Sequence, residues 1–225
     1  MESKRHSVLV RITHWIVALS FFGLLVSGIA ILLAHPRLYW GETGAVGTPS
    51  LFDLPLPFVL AHSGWGRYLH FLSAWACVLA GLIYFIAGLF TQHFRRNFLP
   101  TRGDLDWHRI SNVISEHLHF KRSHEEEFWR YNVVQQLTYL AVVFLLFPLM
   151  IWSGLAMSPA ITSVFPSLVT VFGGQQSART IHFFVTNFLV LFLFVHIAML
   201  CITGFRTRVR AMITGYGGGK RSSHE

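Results

Sequence analysis

The sequence predicts an all-α integral membrane protein, a bundle of four transmembrane helices, on three observations. Charged residues make up only 12% of the 225 and hydrophobic ones 53%, where ordinary soluble domains are roughly a quarter charged. Four stretches contain no Asp, Glu, Lys or Arg, from Ile12 to Ala34, Tyr68 to Gln92, Tyr131 to Ala178 and Thr180 to Phe205, and each has room for the about 20 helical residues that cross a hydrocarbon core. The basic residues fall on alternate connections between these stretches, the asymmetry that membrane insertion imposes. With 21 Phe and 7 Trp the chain is excluded from solvated disorder, and residues 1–225 read as a single membrane domain.

The first helix is expected over about 8–34. Its apolar run is longer than the core of a signal peptide and has no small-x-small cleavage pattern before His35, so it reads as a retained span. The second helix is expected over 66–92, the third over 131–158 and the fourth over 177–205. The uncharged stretch holding the third is too long for one crossing. Met157-Ser158-Pro159, Pro166 and Gly173-Gly174 break its second half, which leaves an irregular or interfacial loop there. Residues 93–130 form a charged loop, and the glycine-rich end 215–225 reads as a flexible tail. No repeat of 20–50 residues is evident. Cys77 and Cys201 lie in apolar runs, so no disulfide framework is expected.

The net charge of +8 is a topology signal and not a nucleic-acid footprint. The N-terminus (Lys4, Arg5, Arg11), the 93–130 loop and the segment after Phe205 hold every basic residue except Arg37, Arg67 and Arg179. By the positive-inside rule both termini and loop 93–130 face the cytoplasm, and the loops around 36–66 and 159–177 face outward.

Of thirteen histidines, nine lie in loops or termini, where solvation explains them. His117, His119 and His124 lack cysteine partners and sit among Lys121, Arg122 and Glu125 to Glu127, which argues against a metal cluster. The other four, His14, His70, His182 and His196, fall inside predicted spans, where an ionisable side chain needs a reason. Any one of them alone would read as an interhelical hydrogen-bond donor. Taken together they form a pattern. His182 and His196 are 14 residues apart on one helix, about 21 Å along the axis and within about 40° of the same face. With the expected topology, the depths pair His14 with His196 near the cytoplasm and His70 with His182 near the outside. Paired imidazoles at matched depth are what a six-coordinate haem iron requires, so two haem b groups are expected, held without covalent attachment because no Cys-x-x-Cys-His occurs. Arg11, Arg67 and Arg179 each stand three residues before one of these histidines, placed to meet haem propionates or simply to snorkel at helix ends. Gly23, Gly28, Gly81, Gly88 and Gly154 could admit a macrocycle or merely let helices touch. No P-loop, dinucleotide fingerprint or His-Glu-x-x-His occurs, and no catalytic side chain is indicated.

Arg11-Ile12-Thr13-His14-Trp15, Arg67-Tyr68-Leu69-His70 and the His182 to His196 spacing resemble the bacterial cytochrome b561 superfamily over residues 6 to 216. The similarity is greatest to the four-helix di-haem subunits of formate dehydrogenases, nickel-iron hydrogenases and thiosulfate-reductase-type molybdoenzymes. That resemblance implies a multi-pass protein of the bacterial inner membrane, in contact with lipid, with a quinone as exchangeable substrate. Its segment entering the third helix lines the quinone site; here it reads Arg130-Tyr131-Asn132-Val133-Val134-Gln135. Asn132 and Gln135 match, and Val134 replaces the family's glycine and narrows the space. Capping of the helix start explains the same two side chains equally well.

The function so implied is electron transfer between the quinone pool at the cytoplasmic-side haem and an outer-side, periplasmic redox partner, expected to be a molybdopterin-type oxidoreductase, for which the loop from Pro36 to Gly66 is long enough to be a docking surface. The alternative is a stand-alone superoxide:quinone oxidoreductase of the same superfamily, which calls for an electropositive outer face; this one has three arginines against Glu42 and Asp53. A transporter using unmetallated histidines would leave their pairing unexplained.

Overall fold

The computed structural model describes residues 3–4, 7–44, 47–56, 64–91, 133–202 and 204–217, mostly as helices. Four of these are long and apolar enough to cross a bilayer: Val8–Ala34, Gly64–Phe90, Leu137–Ala156 and Gln175–Ile202, the first to fourth spans. At most 22% of the most apolar part of any span is buried within the protein. Apolar surface of that extent requires lipid around it. The expected loop 93–130 and Asn132 lie outside the described residues.

The chain divides into two compact units, Met1–Ile86 with Leu193–Glu225, and Ala87–Phe192. In the first unit, the Ser7 hydroxyl accepts from the Val10 amide at 3.3 Å and caps the first span, satisfying one of the helix's orphan donors. The helix stops at His35, whose amide closes on the Ile31 and Leu32 carbonyls, because Pro36 cannot continue the ladder. Small residues carry the approach of the first span to the second: Gly23 lies against Ser73, and Ser27 and Gly28 against His70. Between them, Arg37–Leu38 pairs antiparallel with Phe52–Asp53, with Leu38 buried and Arg37 ion-paired to Asp53 at 3.5 Å.

Beyond the fourth span the structure adds an element that the sequence reading left out. Phe205–Thr214 is helical, set between Gly204 and Gly215, both left-handed at φ 105° and 90°. That backbone favours glycine, so the two glycines separate this arginine-bearing helix from its neighbours on either side. Tyr216–Gly217 then pairs antiparallel with Ser3–Lys4, where a flexible tail from 215 was expected.

In the second unit the third span runs as Val133–Ala141, a widened π turn Val142–Leu146, and Phe147–Ala156. Pro148 accounts for the widening: it has no amide hydrogen and its ring collides with the carbonyl four residues back. The loop expected to be irregular contains two single-turn helices, Pro159–Thr162 and Ser167–Thr170. Ala156, Val169 and Ala178 form a small buried cluster covered by Met157, Leu168 and Phe172, and Gly173 and Gly174 reverse the chain at φ 73° and 128°. The end of the third span and the start of the fourth are thereby held in one register.

Candidate functional site

His70 lies on the second turn of its span, against the first span. Its Nδ1 is 3.0 Å from the Ser27 hydroxyl oxygen, and the Leu24 carbonyl takes a hydrogen bond from the same ring. Ser27 is fully buried and its oxygen also lies 2.6 Å from the Gly23 carbonyl and 3.1 Å from that of Leu24. A serine has one proton, and carbonyl oxygens can only accept. With the hydroxyl proton on a carbonyl of its own helix the oxygen accepts from the imidazole, and the ring then carries its proton on Nδ1 and its lone pair on Nε2, the tautomer a haem ligand requires. Gly28 lies beside the ring: a Cβ there would be in van der Waals contact with the His70 Cε1 at 3.8 Å.

The second unit repeats this arrangement. Ser153, also fully buried, has its hydroxyl oxygen 2.9 Å from Nδ1 of His182 and 3.1 Å from the Met150 carbonyl. A Cβ on Gly154 would meet the His182 Cε1 at 3.5 Å. The same tautomer, proton on Nδ1 and lone pair on Nε2, follows for His182 when the Ser153 hydroxyl donates to the Met150 carbonyl. Thr186, one turn on, donates to the His182 carbonyl at 2.8 Å and lies beside Met150.

His14 is in a different setting. His196, on the part of the fourth span that belongs to the first unit, lies within electrostatic range of it. The Nδ1 of His14 is buried with no hydrogen-bond partner among the described residues. The Trp15 ring stands edge-on to the imidazole at 5.5 Å, and its indole nitrogen donates to the Met212 carbonyl at 3.3 Å. Arg11 donates to the Ile213 carbonyl at 2.6 Å and keeps a buried Nε without a partner among the described residues. These two bonds fasten the terminal helix to the first span, and an apolar cleft of about 450 Å³ lies between Arg11, Trp15, Ile16, Met212 and Ile213.

The other expected site residues divide. Arg67 is exposed at the start of the second span and Arg179 is half-buried and engaged with neighbours. Gln135 lies in the first turn of the helix Val133–Ala141, and Asn132 is outside the described residues. Among the described residues no group of three or more His, Cys, Asp or Glu side chains could hold a bare metal ion. The donor chemistry fits an iron porphyrin instead: imidazoles in apolar spans, two of them with Nδ1 beside a buried serine hydroxyl, the arrangement in which Nε2 is the ligating nitrogen. Ser27 and Ser153 were missed by sequence reasoning. The available signal was Ser27-Gly28-Ile29-Ala30 matching Ser153-Gly154-Leu155-Ala156, and Arg67-x-x-His70-Phe71 matching Arg179-x-x-His182-Phe183. No single repeat length exposes it, because the serine and its histidine are 43 residues apart in one copy and 29 in the other.

The profile of prokaryotic cytochrome b561 matches residues 5–215. A protein of Azospira oryzae named as a candidate protein-methionine-sulfoxide reductase subunit, YedZ1, is 29% identical over 219 residues, covering 94% of this chain and 96% of the relative. No solved structure matches the chain.

Proposed function

The chain belongs to the prokaryotic cytochrome b561 family, and from that premise we propose that it conducts single electrons across a membrane through two haem b groups, one held by His14 and His196 and the other by His70 and His182. As a member of that family it is a multi-pass membrane electron-transfer subunit that binds b-type haem. What supports the two-haem reading is that four histidines fall within the apolar spans, with His182 and His196 on one helix about 21 Å apart along its axis and His196 in electrostatic range of His14.

Haem bound there would supply one-electron carriage. The chain's own residues supply the rest. Each histidine would present one ring nitrogen to the iron. Ser27 and Ser153 keep two of the rings from turning, and the apolar spans keep water away from the ligands. Arg11, with its buried Nε, is placed to meet a propionate, and Arg67 and Arg179 are proposed for the same role at the His70 and His182 level.

We place both termini on the cytoplasmic side of a bacterial inner membrane, on the distribution of basic residues. Quinone exchange belongs to the His14 side. Two segments can receive it: Asn132 and Gln135, on the resemblance of residues 130–135, and the apolar cleft beside Arg11 and Trp15, whose 450 Å³ falls in the range of small-molecule sites. The partner on the opposite side is a redox enzyme. A molybdopterin-type oxidoreductase follows from the sequence resemblance, whereas the name of the Azospira oryzae relative supports a methionine-sulfoxide reductase.

The test is the absorption spectrum and haem content of the purified protein and of His70→Ala and His196→Ala. Each substitution should remove one of two haems, and intact spectra in both would end the proposal. Asn132→Asp and Trp15→Ala, followed by the rate of haem reduction by quinol, separate the two quinone segments. Copurification of a soluble oxidoreductase supports the subunit role; superoxide oxidation by the protein alone would replace it with the stand-alone enzyme.

A further inference from the structure

We propose that Ser27 and Ser153 are a matched pair of positioning residues, each holding one haem ligand, His70 and His182, with Nε2 turned over to the iron, and that together they bias that one haem toward its ferric form. The inference rests on the assignment of His70 and His182 to a common haem.

Three features separate these serines from ordinary polar residues in a span. Each is fully buried, and each satisfies its own hydroxyl proton on a carbonyl of its own helix, at 2.6 Å for Ser27 and 3.1 Å for Ser153. A buried serine needs nothing more. The additional contact to imidazole Nδ1, at 3.0 Å and 2.9 Å, therefore acts on the histidine. Each serine is followed by a glycine that lies directly beside the same ring, where a Cβ would stand in van der Waals contact with Cε1 at 3.8 Å and 3.5 Å. The third feature is duplication: Ser-Gly-aliphatic-Ala faces Arg-x-aliphatic-His-Phe in the first unit and again in the second. His14 has no such arrangement, since its Nδ1 is buried without a partner among the described residues.

The chemical consequence follows from where the proton is drawn. An acceptor on Nδ1–H pushes electron density into the imidazole and raises the basicity of Nε2. A more basic axial nitrogen stabilises ferric over ferrous iron and lowers the midpoint potential. With an acceptor on both ligands the two effects act on one iron in the same direction, so the His70/His182 haem is held below the value its ligands would otherwise set, and the other haem is left unaffected by these serines.

The experiment is a spectroelectrochemical titration of the haem-loaded protein with Ser27→Ala, Ser153→Ala, the double variant, and Ser27→Thr and Ser153→Thr, which keep the hydroxyl. The electron paramagnetic resonance of the ferric state is recorded alongside. Each alanine should raise the potential of one and the same haem by about a tenfold change in ferric preference, which is about 59 mV for one electron. The double variant should shift it further, the threonine variants should restore it, and the low-spin signal of that haem should move as its ring planes reorient. Full haem content with unmoved potentials and signals in both alanine variants would overturn the positioning role. Two different haems responding to the two serines would overturn the pairing. Should an alanine variant fail to accumulate, Ser27→Cys and Ser153→Cys, which keep volume but are poor acceptors, must give the same upward shift or the proposal fails. Retention of both haems by His70→Ala and His182→Ala would instead strike the underlying assignment.

Discussion

The Ser153 hydroxyl oxygen lies 2.9 Å from Nδ1 of His182, joining the last turns of the third span to the first turns of the fourth. Such a bond needs the two helices held in one longitudinal register. The small cluster of Ala156, Val169 and Ala178 supplies that register, since Ala156 and Ala178 are completely buried and sit three or four residues from the bonded pair.

Ala178→Leu should therefore be felt at His182. Adding three carbons where no space exists costs about 1–3 kcal/mol of stability and displaces the fourth span's start. The expected result is a lower thermal midpoint together with loss of one of the two proposed haems, the one assigned to His182, and retention of the other. A variant with both haems at full occupancy and unchanged melting would show that the cluster does not set the register.

Gly23 makes the tightest approach of the first span to the second, because a Cβ there would stand 2.5 Å from the Ser73 hydroxyl. Gly23→Ala should cost about 1–3 kcal/mol. Ser73→Ala removes the obstructing oxygen, so Gly23→Ala with Ser73→Ala should recover most of the loss, since the next atom is 3.4 Å away. Thermal unfolding of the two single variants and the double variant in detergent measures the coupling; strict additivity would contradict the contact.

The terminal helix is held to the first span by Arg11 on the Ile213 carbonyl and Trp15 on the Met212 carbonyl. Arg11→Met with Trp15→Phe deletes both donors, and each exposed hydrogen bond so lost contributes about 0.5–1.5 kcal/mol. Trypsin should then cut at Arg206, Arg208 or Arg210 several times faster than in the parent protein, while the four spans stay intact. Equal cleavage rates would mean that the helix is secured by other contacts.

Asp53 pairs with Arg37 at 3.5 Å, but both side chains are about two-thirds exposed. Exposed ion pairs contribute about 0–1 kcal/mol and are screened by salt. Asp53→Asn should shift the thermal midpoint little, with any shift gone at about 1 M salt. A large, salt-resistant loss would show that the hairpin between the first two spans depends on this pair.

How much was legible in the sequence follows from what kind of interaction each feature uses. Charge-free stretches of spanning length marked the four spans, because hydrocarbon excludes charge whatever the packing. The positions of His14, His70, His182 and His196 within those stretches were equally plain. The terminal helix Phe205–Thr214 was not, since its arginines gave it the look of a solvated end and its docking uses backbone carbonyls that Arg11 and Trp15 reach from the first span. The π turn before Pro148 is a local response to a proline in a helix that lipid and neighbours sustain, and hydrophobic periodicity carries no mark of it.

The sequence by itself determined the solvent this protein lives in, the number of crossings and which histidines lie within them, because transfer of charge out of water is a property of each residue taken alone. Only the tertiary structure decided that Ser27 attends His70 and Ser153 attends His182. A hydrogen bond depends on two groups meeting within a few tenths of an ångström, and the segments that bring these pairs together differ in length and course, so their equivalence becomes visible only in the contact itself.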